Sequence, residues 1–240
     1  MKTNQEQKGH YAQKNKAESG SALIYVLIAI ALFAALSFTL SRQTDTGETR
    51  RLSNDRADIM ATQLISTAAQ VKSAVDQMFF TGSQINDLNF ELPSDANFEI
   101  GSPIHKVFHP SGGGIIPPVL SPSVMSEVTN DPPAGWYLGR FNNIEWSQSS
   151  AHDVILVAYQ INRATCEHIN KSITGSMNIP NLNSGNLEQL FIDVFYHSGA
   201  NVDITTGTGG NCEACHNQTS LCISNSARSA YAFYTVIANQ

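Results

Sequence analysis

The chain has 240 residues, enough for one membrane helix and one domain of ordinary size. A formal net charge of −6, with no basic stripe interleaved with aromatics, argues against nucleic-acid binding. Only 14% of the residues are charged, against about a quarter in an ordinary domain; Gly, Ser, Thr, Asn and Gln take their place, as in many exported surface proteins.

Residues 1–20 are polar and basic, with Lys2, Lys8, Lys14 and Lys16 against Glu6 and Glu18. The run Ala22–Leu40, ALIYVLIAIALFAALSFTL, then holds no charge and no proline. As a helix it would extend roughly 28 Å, close to the hydrocarbon thickness of a bilayer. It is longer than a secretory h-region and no A-x-A cleavage site follows. The reading is a retained transmembrane helix over 21–41, with the basic leader in the cytoplasm. Arg42, Arg50, Arg51 and Arg56 on the far side reduce that charge asymmetry.

Gly20-Ser21 stands at the polar–apolar junction, and Gly20-Ser21-Ala22-Leu23-Ile24-Tyr25-Val26-Leu27 resembles the processing site of type IV pilins and of type II secretion pseudopilins. The resemblance implies that a leader peptidase cuts between Gly20 and Ser21 and leaves the apolar helix on the mature chain. It also implies partners: the inner membrane, and other pilin-like subunits packed through the N-terminal helix. Major pilins carry Glu at the fifth position after the cut; here that position is Tyr25. The departure resembles minor subunits.

After Asp45-Thr46-Gly47, apolar residues recur at helical spacing at Leu52, Ile59, Met60, Leu64, Ala68, Val71, Val75 and Met78. This predicts an amphipathic helix over 48–80, with Arg51, Asp55, Asp58, Gln63, Lys72 and Asp76 on its polar face. An exported α+β head is expected over 81–240. Its first part, to about residue 135, is rich in proline and includes Gly112-Gly113-Gly114; no Lys-Ser/Thr follows, so a phosphate loop is not expected. A short strand is expected at Lys106–Phe108, with His105 and His109 on one face and no third metal ligand beside them.

Strands are expected at Trp136–Phe141, Asn143–Gln148, Asp153–Ile161, Leu190–Tyr196 and Tyr231–Ala238. Asn162 is placed to cap a short helix, Arg163–Ser172, with Cys166, Ile169 and Ile173 on one face. The fold class expected is α+β: a long N-terminal helix, transmembrane then amphipathic, packed on an antiparallel β-rich head, as the pilin resemblance also implies.

Cys212-Glu213-Ala214-Cys215-His216 is C-x-x-C-H, the attachment pattern of a c-type haem. Two thioethers to Cys212 and Cys215 and an iron ligand from His216 would make an anchored electron carrier. Met177, His197 and His168 are candidate distal ligands. The polar, loop-like surroundings favour disulfides instead among Cys166, Cys212, Cys215 and Cys222, with the pairing open. A bridge from Cys166 to a C-terminal cysteine would tie the middle of the head to its last strand. Zinc on Cys212, Cys215, Cys222 and His216 ranks below both. No H-E-x-x-H helix and no G-x-S-x-G elbow is present, and Glu145, Asp153 and Asp193 are isolated acids. No catalytic residue, no resident metal and no enzymatic activity are expected.

Overall fold

The computed structural model describes residues 19–44, 48–144 and 149–240. The leader up to residue 18, Asp45-Thr46-Gly47, and residues 145–148 of one expected strand lie outside the described residues. The elements are α1 (Ser19–Thr44), α2 (Glu48–Phe80), β1 (Gly135–Asn142), β2 (Asp153–Tyr159), α3 (Arg163–Thr174), α4 (Leu187–Phe191), β3 (Ser220–Ser224) and β4 (Tyr231–Ala238). The chain divides into two compact units, 1–52 and 53–240.

In the first unit, α1 is apolar on every side, and its described side chains, from Leu23 to Thr39, are all exposed. Among the described residues, no helix is long and apolar enough to cross a membrane.

The second unit is α+β, with a four-stranded antiparallel sheet ordered β1-β2-β4-β3. α2 buries Ala57, Ala61, Leu64, Ala68, Val71, Val75 and Met78, and from Ala61 onward these pack on the sheet. Their spacing alternates between four and three residues, which holds one stripe on one face. Two alanines in that stripe, Ala61 and Ala68, present only methyl groups to the sheet. Ile59, expected in the stripe, is 57% exposed; it falls two residues past Ala57, well round the helix from the stripe. Gly82, at φ 104°, ends the helix in a conformation that side chains resist, and Ser83 N–H then reaches back to Met78 O at 3.0 Å.

β2 and β4 are the inner strands, buried along their full lengths. Alternate residues therefore enter two cores. Val154, Leu156 and Phe233 meet the α2 stripe together with Val107, Phe108 and Leu120 from the proline-rich segment. Ile155, Val157 and Tyr234 face Leu182, Leu190 and Phe191 on the opposite side. One face of the sheet is thus covered by α2, α3 and the proline-rich segment, the other by α4 and largely irregular chain.

Three expected elements differ. Leu190–Tyr196 is not a strand: α4 ends at Phe191 and turns follow. Leu187, Leu190 and Phe191 are buried at helical steps of three and four, and the Asp193 carboxylate accepts the Phe195 N–H at 2.9 Å, which bends the chain. Asn143 and Ile144 lie outside any strand, and β1 pairs directly with β2. Lys106–Phe108 forms only an isolated parallel bridge from Lys106 to Asn89, and His105 ends a short 3-10 turn begun by Pro103. β3, unexpected from the sequence, supplies the second edge.

Candidate functional site

Three features of the structure are candidates for function, one in the first unit and two in the second. In α1 the Gly20-Ser21 junction lies within the first helical turn. Beyond it the large apolar side chains from Leu23 to Phe38 are between 50% and 74% exposed on all sides of the helix. A helix apolar all round reaches a low free energy only when lipid or other helices cover it.

The cysteines form two disulfides, Cys166–Cys222 and Cys212–Cys215. The first joins α3 to β3, as one of the bridges the sequence allowed. Asn162 positions it by accepting the Thr165 N–H at 2.9 Å, which fixes the first turn of α3. Ile173, expected beside Cys166, is instead partly exposed near the helix end. The second bridge closes the C-x-x-C loop inside the core that faces Leu221 and Ile204. Both its residues are almost wholly buried.

Attachment of a c-type haem consumes both thiols of C-x-x-C, and here the two sulfurs are bonded to each other. His216 Nδ1 lies 3.0 Å from Thr206 Oγ1, and its Nε2 lies 3.1 Å from the Asn217 amide. Of the candidate distal ligands, His197 Nε2 meets Ile192 O and Asn201 Oδ1, and His168 Nδ1 meets Asp58 Oδ1 at 3.0 Å. Met177 is exposed. This arrangement does not fit a haem. For zinc, Cys222 is tied to Cys166, away from the Cys212–Cys215 loop; among the described residues no group of three or more His, Cys, Asp or Glu side chains is placed to hold a metal ion.

No protein-family model, curated protein or solved structure matches this chain.

The third feature is a cleft of about 700 Å³ along the outer side of β1. Its floor is Leu138–Phe141, one wall is the segment around Phe90 and Asp95, and the other is Asp193–Tyr196. Arg140 reaches under the first wall: its Nη2 donates to Leu88 O at 3.1 Å and to Ile85 O. Its guanidinium lies 5.2 Å from the centre of the Phe90 ring. Burial lowers its pKa from the ordinary value. Its Nε is buried without an acceptor among the described residues. Lys106, buried beside the same wall, donates to Glu91 Oε2 at 2.9 Å and to Phe98 O at 2.6 Å, which holds the Glu91 carboxyl below its ordinary pKa. Burial, and then the Asp95 and Asp193 carboxylates, raise the Tyr196 phenol. Sequence reasoning missed this cleft because its three sides come from residues far apart in the chain. Only Asp193 was noted, as an isolated acid.

Proposed function

We propose that the chain is a structural subunit of a bacterial envelope filament or secretion assembly, of the minor pilin or pseudopilin type. It would act through helix packing and head contacts rather than catalysis. The observation that carries this reading is α1: an apolar helix exposed on every side, whose first turn holds the Gly-Ser junction that follows a basic leader sequence. In such an assembly the Ser21–Leu40 helix rests in the inner membrane after the leader peptidase has cut at Gly20. It then packs against the same helix of other pilin-like subunits, where its apolar surface leaves lipid without entering water. The α2 stripe beneath an antiparallel sheet supports the same reading, because an apolar helix followed by an amphipathic helix packed on a sheet is the arrangement the pilin resemblance implies. Two disulfides agree with an exported head.

The test is the intact mass of the protein isolated from envelope membranes without reductant. The expected result is a chain lacking residues 1–20 and lighter by about four further protons for two disulfides. A full-length mass would remove the processing claim and leave a bitopic anchored domain; a gain equal to one haem would make the protein an electron carrier.

A further inference from the structure

The two edges of the sheet are finished differently. At β3 the buried Asn170 amide imitates a neighbouring strand. It accepts the Cys222 N–H at 2.8 Å and donates to Cys222 O at 2.7 Å. Leu182 N–H donates to Ser224 O, and Ser224 N–H to Pro180 O, both at 2.9 Å. That edge is closed.

At β1 the opposite holds. In an antiparallel ladder, alternate residues of an edge strand turn N–H and C=O away from the neighbouring strand. Among the described residues, nothing outside β2 makes a hydrogen bond to the main chain of residues 136–141. These outward groups form the floor of the β1 cleft, where Leu138 is 5% and Phe141 2% exposed. An unpaired edge of this kind is a template for a further strand.

The walls specify what fits. A second cavity of about 260 Å³ continues the cleft toward Trp136, because Phe90, Leu138 and Tyr196 line both. That end is apolar, formed by Trp136, Pro118 and Leu156. Residues 136–141 give a channel of roughly 20 Å, the length of a strand of about six residues. Phe195 and Val119 stand at its mouth, 81% and 87% exposed. The carboxylates lining it are Glu91, Asp95 and Asp193. Among the described residues its one lining cation is Arg140, already committed to Ile85 O and Leu88 O.

We propose that the outer edge of β1 binds an extended segment of a partner protein, which adds to the sheet as a fifth strand. Main-chain hydrogen bonds to 136–141 supply the affinity. An apolar side chain seats at the Trp136 end, and Lys or Arg side chains lie opposite Asp95 and Asp193. The inference does not depend on the membrane or filament reading.

The probe is a phage-displayed library of random dodecapeptides, panned against the full chain in detergent micelles. Clones that also bind the Phe195→Ser/Asp95→Asn/Asp193→Asn variant are discarded. Enrichment of proline-poor sequences that alternate apolar residues with Lys or Arg is expected. A synthetic enriched peptide should slow amide exchange at Leu138–Phe141. N-methylation of its alternate amides along one edge should weaken binding at least tenfold, while methylation along the other edge should not. This comparison alters only the peptide, so it does not depend on any variant folding. No enrichment over the variant, equal binding of both methylated peptides, or protection elsewhere on the head would each overturn the proposal.

Discussion

Single side chains of this head often do work that regular structure does elsewhere. Asn170 gives Cys222 both of its outward main-chain hydrogen bonds and also donates to Asn178 O at 2.9 Å. Asn170→Ala strands a buried N–H and a buried C=O. We expect a loss of about 2–4 kcal/mol, measured by urea unfolding with the disulfides intact. Gln160 has a comparable role after β2. Wholly buried at φ 58°, it bonds Thr129 N–H at 2.9 Å, Pro132 O at 3.0 Å and also Val128 N–H, fixing the loop before β1. Neither residue has a sequence signal, since Asn and Gln abound in this chain and only burial distinguishes these two. The Asn162 cap was legible because its partner lies three residues away. Among carboxylates, Glu91 is held below its ordinary value of 4.5, first by its hydrogen bond from Lys106. A lowered folded-state pKa means that the stabilisation is fully present above about pH 4.5. It is lost as pH falls through the lowered value. Glu91→Gln should therefore flatten the decline of the urea midpoint between about pH 5 and 3, and an unchanged slope would assign that decline to other acids.

At the scale of elements, the strands and helices that matched expectation are those whose pattern is set by burial. β4 falls at the expected residues, and β2, apolar and β-branched, needed no context because both its faces are covered. The α2 stripe was mostly legible, Ala68 included, but Ala57 and Ala61 were passed over in favour of Ile59, since a large side chain is the stronger signal until depth is known. Leu64→Ala should cost about 2–4 kcal/mol through lost contacts and a cavity. Ile59→Ala should change stability by less than about 0.5 kcal/mol; thermal melts of the pair distinguish the faces. β3 escaped notice because a five-residue Ser-Leu-Cys-Ile-Ser strand is short and follows a polar loop. Leu190–Tyr196 misled because LFIDVFY carries strand-forming residue types, while packing beneath the sheet selected a short helix and a turn. The two disulfides should be unequal. Chain-entropy arguments give about 4 kcal/mol for a bridge spanning 56 positions and about 2 kcal/mol for one spanning three. Cys166→Ala/Cys222→Ala is thus expected to lower the urea midpoint about twice as far as Cys212→Ala/Cys215→Ala.

For the molecule as a whole, the sheet order carries a consequence for how the chain is made. β4 lies between β2 and β3, the two strands that precede it, and β3 has no other strand as a neighbour. A polypeptide emerges from a ribosome or a translocation channel starting at its N-terminus. Until residues 231–238 are out, only the β1–β2 hairpin can pair, and the α2 stripe has half a sheet to rest on. Isolated hairpins are marginal in water. The sheet would therefore stay open until residues 231–238 emerge and insert between β2 and β3. Such a chain can be drawn through a narrow channel without first being unfolded.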